Sequence, residues 1–185
     1  MTRSSQTFVE TQRILPRGGE RTMVTRRTLS ILVENQPGVL AKVAGLFRRR
    51  GYNIHSLAVG ITENPEVSRI VTVVEAGPEE TEQIIKQLNK LVEVLRVNDV
   101  TNHHTVDREL ALVKVNATPG TRAEIMEVAS IFRANVVDVS EKTMTLEVTG
   151  KGEKIDAIIQ LLRKHGIREM VRTGQVTLVR GVQTT

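Results

Sequence analysis

The sequence predicts an α+β chain in which one β-α-β-β-α-β plan is laid down twice. Three observations predict it. A length of 185 residues suits two domains of roughly 80 to 100 residues each. Apolar spacing switches between two and three-to-four residues in the same order in each half. Local words also recur: ENQPG with NATPG, whose Pro37-Gly38 and Pro119-Gly120 lie 82 residues apart, and LFR (46–48) with IFR (131–133), 85 apart.

In the first half, Leu29, Ile31 and Val33 alternate as one face of a strand. Pro37 and Gly38 stop it. Leu40, Val43, Ala44 and Phe47 then line one stripe of a helix to about Arg50, with three arginines at its negative end and Gly51 as its stop. NIHSLAVG (53–60) and SRIVTVVE (68–75) read as a strand pair across the turn-rich ITENPEV. Pro78 opens a second helix, with Glu79, Glu80 and Glu82 near its positive end and Ile84, Ile85, Leu88 and Leu91 inward. VEVLRVNDV (92–100) closes the unit, which is the ferredoxin-like, split βαβ order.

The second half repeats it. LALVKVNA (110–117) reads as a strand and TRAEIMEVASIFR (121–133) as a helix with Ile125, Val128, Ala129 and Phe132 inward. ANVVDVS and TMTLEVTG form a strand pair, and 153–165 a helix carrying Ile155, Ile158, Ile159 and Leu162, ended by Gly166. IREMVRTGQVTLVRG (167–181) supplies the closing strand. The expected organisation is a flexible basic tail (1–25), a first domain (26–101), a linker around VTNHHTVDRE (102–108) and a second domain (109–182).

Charge and composition narrow the function. Of the net +5, the first 27 residues contribute +4, from six arginines against Glu10 and Glu20, so the folded part is nearly neutral. No nucleic-acid partner is expected: a sheet that stacks bases needs aromatic residues. Here Phe47 and Phe132 face inward, Phe8 lies in the tail, and only Tyr52 is left. No apolar run approaches the ~20 residues a bilayer needs, and the N-terminus lacks an apolar signal core. The expectation is a cytoplasmic protein without a membrane partner.

Catalytic equipment is sparse. Cysteine is absent, which removes thiol nucleophiles and thiolate metal sites. His103 and His104 are adjacent in a polar linker, His55 sits in a strand, and His165 ends a helix, so no metal site is expected. Gly150-Lys151-Gly152 follows a strand and opens a helix, but Ile155 stands where a dinucleotide fingerprint needs its third glycine. Arg48 to Arg50 read as a solvated helix end, and Gly45 as a point of close helix packing.

What remains is the turn ENQPGVL (34–40). It sets the first N–H groups of a helix at the end of a strand, where unsatisfied donors and the helix dipole favour a carboxylate. Gly38 lets a ligand approach the backbone, and Asn35 can donate and accept. The strand starting near Asn53 is an edge in this fold, and pairing two such edges would bring Asn53 of one chain to the Pro37-Gly38 turn of another.

Over residues 26–181 the chain resembles the small regulatory subunit of acetolactate synthase (acetohydroxyacid synthase). The stretches that carry the resemblance are LSILVENQPGVLAKVAGLFRRRGYNIHSLAVG, QLNKLVEVLRV, RELALVKV, IFRANVVDVS and RTGQVTLVRG. It implies an N-terminal ACT domain, the ferredoxin-like amino-acid sensor, and a C-terminal ferredoxin-like domain. It further implies a homodimer through ACT domains that binds a branched-chain amino acid, typically L-valine, at their interface. Carried over, Asn35, Pro37, Gly38, Val39 and Leu40 hold the ligand from one chain, and Asn53 and Ile54 complete the site from the other, with Gly60 nearby. No second site is expected at NATPG, whose partner word reads RANVV rather than GYNI.

The same resemblance implies no chemistry and no cofactor on this chain. Its partner is the large catalytic subunit, which carries thiamine diphosphate, a divalent metal (Mg) and FAD, and which the small subunit activates and makes sensitive to feedback inhibition. The alternatives are a stand-alone ACT-domain sensor acting on another enzyme or a transcription factor, and an independent enzyme. The arginine-rich segment 1–25 departs from the family pattern; it is either a disordered tail or precedes a start at Met23.

Overall fold

A computed structural model describes residues 25–182 and 184–185. The tail expected over 1–25 lies, through residue 24, outside the described residues, and Thr25 already opens the first strand. The first unit runs β1 (Thr25–Glu34), α1 (Val39–Arg50), β2 (Ile54–Ile61), β3 (Val67–Ala76), α2 (Pro78–Leu88) and β4 (Val94–Asp99). Its antiparallel sheet has the order β2-β3-β1-β4. The second runs β5 (Thr105–Asn116), α3 (Arg122–Ile131), β6 (Asn135–Val139), β7 (Thr143–Gly150), α4 (Gly152–Leu162) and β8 (Ile167–Arg172), with the matching order β6-β7-β5-β8. This is the predicted ferredoxin-like fold, in tandem.

Each unit has its own core, made mostly of the residues the periodicity selected. In α1, however, Val39 and Leu46 are buried with Val43 and Phe47, while Leu40, expected on the inward stripe, is exposed and Ala44 only half-buried. The helix is rotated so that the stripe facing the sheet runs through residues 39, 43, 46 and 47. Leu29, Ile31 and Val33 of β1 meet Val43 and Phe47 of α1 and Ile84 and Leu88 of α2. Ile125, Val128 and Ala129 of α3 pack with Ile155, Ile158, Ile159 and Leu162 of α4 over Ala111, Val113 and Val115 of β5. Burying each large aliphatic side chain contributes about 1.5–3 kcal/mol. That is why a strict apolar stripe outweighs local propensity here.

Several boundaries differ from the sequence reading, each through a long-range contact. The linker expected over 102–108 is shorter, because β5 begins at Thr105. Its residues Thr105 to Arg108 pair with a further strand, β9 (Val176–Val179), which splits the single closing strand expected over 167–181. The helix expected to Arg133 ends at Ile131, leaving half-buried Phe132 as its cap. Leu91 likewise packs from beyond the end of α2. The helix expected over 153–165 ends at Leu162, and a 3-10 turn follows at Arg163–His165. His55 sits at an irregularity in the β2–β3 pairing rather than at a regular sheet position. A Cβ on Gly45 would touch only Arg49 of its own helix, at 3.5 Å, so the close packing expected there is not found.

The two sheets differ on the face away from their helices. In the first, Val71 and Val73 alternate away from the helical core yet are buried, as is Ser30. The chain beyond β8 lies on this side: the Gln175 amide donates to Ser56 Oγ (2.8 Å), and Arg69 Nη1 donates to both Ser30 Oγ (3.0 Å) and the Thr185 carbonyl (2.8 Å). In the second, the corresponding face leaves Leu112 and Val171 exposed and carries a Lys114–Glu169 ion pair (3.6 Å).

Candidate effector site

β1 ends at Glu34, and its continuation is fixed by the β2–β3 loop. The Asn35 amide N–H donates to the Glu66 carbonyl (2.7 Å), its side-chain Nδ2 to the Pro65 carbonyl (2.8 Å), and Ser68 Oγ donates to Asn35 Oδ1 (3.1 Å). Asn35 is therefore first a clamp within its own chain. One amide hydrogen and one lone pair are left for a ligand. Gly38 follows in the left-handed region (φ 86°, ψ −12°), a conformation that costs other residues about 1–2 kcal/mol. It opens α1 without a side-chain cap and without an acidic residue in the first turn.

Among the described residues, the N–H groups of Gly38, Leu40 and Ala41 have no acceptor, and Val39 N–H makes only a long 3.4 Å contact to Gln36. With the dipole of α1 behind them, these donors favour a carboxylate. Asn35, Pro37 and Gly38 are exposed, Leu40 is 42% exposed, and Val39 is anchored in the core. Lys42, on the next turn, pairs with Glu93 at the entrance of β4. The hydrogen bond from Lys42 holds the Glu93 carboxyl below its ordinary range. The pair's contribution is thus present above that range and fades as the pH falls through it.

In one chain these groups meet only part of the predicted set. Gly60 lies at the same end: it pairs with Arg69, next to Ser68, which holds Asn35. Asn53 and Ile54 lie past the other end of α1, a 12-residue helix and so roughly 18 Å long. β2 is an edge of its sheet, with Val59 and Ile61 exposed. Two cavities, of about 530 and 440 Å³, lie between the two halves of the chain, and neither is lined by Asn35 or Gly38.

The repeat provides an internal control. At NATPG, Thr118 N–H donates to Thr121 Oγ1 (3.0 Å), Thr121 and Arg122 N–H bond back to the Thr118 carbonyl, and Glu124 sits in the first turn. Arg122 Nη2 donates to the Ser140 and Glu141 carbonyls (2.6 and 2.9 Å). Among the described residues the Gly120, Ala123 and Glu124 N–H groups lack an acceptor just as those of the first turn do; what differs is that Gly120 has no positive φ and that Glu124 sets a negative charge beside these donors. Asn135 occupies the place of Asn53, a match the sequence reading missed, but its Nδ2 donates to Glu147 (3.2 Å).

Among the described residues no group of three or more His, Cys, Asp or Glu forms a metal site, and no helix is long and apolar enough to cross a membrane. His165 Nε2 lies 3.7 Å from Glu124. At the start of α4, Arg172 donates to Glu109 (2.5 Å), Asp156 (2.6 Å) and the Gly152 carbonyl (3.3 Å). Burial disfavours the charged guanidinium, but its bonds to Asp156 and Glu109 outweigh that and raise its pKa above the ordinary value. Sequence reasoning missed this cluster and the Arg172–Gln175 segment attached to it. A glycine inside a strand-like run was the available signal of close backbone approach.

Comparison with known proteins places the chain. A family model for the small subunit of acetolactate synthase matches residues 108–181, and one for the AHAS small subunit-like ACT domain matches residues 29–96. A probable acetolactate synthase small subunit of Archaeoglobus fulgidus is 53% identical over 84% of this chain and 98% of that protein. The acetolactate synthase small subunit of Bacillus subtilis is 48% identical over 85% of this chain and 92% of its own. The crystal structure of the Thermotoga maritima small subunit superposes with a TM-score of 0.80 at 41% identity, covering 86% of this chain and 99% of that one. The chain belongs to the acetolactate synthase small-subunit family.

Proposed function

We propose that, as an acetolactate synthase small subunit, this chain is a regulatory protein without an active site of its own, which senses a branched-chain amino acid, valine first, at a seam between two ACT domains. The observation that supports this reading is the open turn at Asn35–Leu40. It presents fixed, unpaired N–H donors and no group able to carry out a reaction. Antiparallel pairing of two β2 edges about Leu57 puts Asn53 of one chain opposite Ile61 of the other, beside Gly60 and the Asn35 turn. The carboxylate is then held by the Gly38, Leu40 and Ala41 amides, the ammonium by Asn35 and Asn53 oxygens, and the side chain by apolar groups including Leu40 and Ile54.

Thiamine diphosphate, Mg and FAD belong on the large catalytic subunit, the partner that this chain activates in the cytoplasm. Valine regulates that partner by binding one arrangement of the dimer more tightly than another; a coupling of ~1–3 kcal/mol is typical. Reconstitution with the cognate large subunit tests the reading. The expected outcome is no acetolactate synthesis by this chain alone, stimulation of the large subunit, and valine inhibition only of the mixture. A mixture that shows neither stimulation nor added valine sensitivity contradicts it.

A further inference from the structure

The segment Arg172-Thr173-Gly174-Gln175, between β8 and β9, is fastened at both ends. Arg172 is held by Glu109, Asp156 and the Gly152 carbonyl. Thr173 and Leu110 bond reciprocally, Thr173 N–H to the Leu110 carbonyl (2.9 Å) and Leu110 N–H to Thr173 Oγ1 (3.0 Å). Beyond the segment, β9 pairs with Thr105 to Arg108 of β5, while β8 pairs with Ala111 to Val115 of the same strand. The segment therefore moves with β5, the central strand of the second sheet.

Its middle lies directly on β2. A Cβ at Gly174 would overlap the carbonyl carbon and oxygen of Leu57 and come within 2.8 Å of the Ala58 nitrogen, so only glycine fits. The Gln175 N–H donates to Ser56 Oγ (2.8 Å), and Gln175 Nε2 is itself held against Thr177, which is buried. Ser56 to Ala58 are the centre of the edge strand that the proposed seam pairs.

We infer that this strap is the positioning element that ties β2 to the second domain, so that a shift of the seam on effector binding is carried to β5 and its sheet. The inference rests on the effector reading proposed above. Gly174 supplies the close approach, Ser56 the bond that sets its register, and Arg172 with Thr173 the anchor on the far side.

Hydrogen–deuterium exchange on the full chain, with and without valine, tests it in the wild type, Gly174→Ala and Ser56→Ala. The same proteins are assayed with the large subunit. In the wild type, valine slows exchange at residues 35–41 and also at 172–178. In Gly174→Ala the slowing stays at 35–41, and the valine concentration for half-inhibition rises by about tenfold while stimulation is kept within about twofold. Ser56→Ala, which leaves the packing intact, moves the same readouts in the same direction and decides alone if Gly174→Ala fails to fold. Slowing at 172–178 and inhibition unchanged in the folded variants overturns the inference, as does slowing confined to 35–41 in the wild type. A wild type that does not respond to valine at residues 35–41 overturns the effector reading itself, and the inference with it.

Discussion

The two β-α turns of this chain share the letters Pro-Gly and differ in backbone conformation and in the charge of the helix turn they open. At the first, Gly38 takes a left-handed conformation, no acidic residue stands in the first turn of α1, and the Gly38, Leu40 and Ala41 N–H groups have no acceptor among the described residues. At the second, Gly120 takes no positive φ and Glu124 stands in the first turn of α3, beside Gly120, Ala123 and Glu124 N–H groups that likewise lack an acceptor among the described residues. The asparagines that follow the helices differ by one bond: Asn53 and Asn135 are both exposed, and Asn135 donates to Glu147. The sheet faces differ too, one covered by the chain beyond β8 and the other open. A duplicated fold can thus keep both cores and both turns while backbone conformation and first-turn charge diverge between the copies.

Substitutions at matched positions can break that comparison. Phe47 is fully buried and Phe132 only half so, and Phe47→Ala is expected to cost about 3–5 kcal/mol against roughly 1–2 for Phe132→Ala in chemical denaturation. Equal losses would mean that the two cores are built alike after all. Gly38→Val forces a β-branched residue to positive φ and is expected to lower stability by about 1–2 kcal/mol, whereas Gly120→Val changes it by no more than about 0.5. Asn53→Ala is expected to weaken valine inhibition of the reconstituted enzyme about tenfold and leave stimulation in place. Asn135→Ala should change neither, and equal loss of inhibition and stimulation in Asn53→Ala would contradict separate roles. The smallest effect concerns the helix ends. Arg133 holds φ 49° where the first unit has Gly51, so Arg133→Gly is expected to raise stability by up to ~1 kcal/mol, read as a higher melting temperature.

Most of the fold was legible in the sequence because burial imposes periodicity on each element separately. Leu29, Ile31 and Val33, or Ile155, Ile158 and Leu162, announce a face whatever packs on it. What escaped depends on distant partners. Thr105 to Arg108 look like polar linker until β9 pairs with them, and Gly174 looks like a strand interruption until Leu57 is found against it. The candidate site was legible in part for the same reason. The turn and its glycine are local, but the Asn35 bonds to Pro65 and Ser68 link residues about thirty apart and carry no local signal. The equivalence of Asn135 with Asn53 was hidden by the replacement of Gly51-Tyr52 with Arg133-Ala134, although both Gly51 and Arg133 adopt positive φ.

On the proposed reading the first turn, and not its repeat, forms the effector site. Calorimetric titration of valine into the full-length chain, alongside Gly38→Val and Gly120→Val, tests it most directly. The expected outcome is one site per chain in the wild type, an unchanged isotherm in Gly120→Val and no detectable binding in a folded Gly38→Val. Binding that survives Gly38→Val, or that disappears with Gly120→Val, would contradict it.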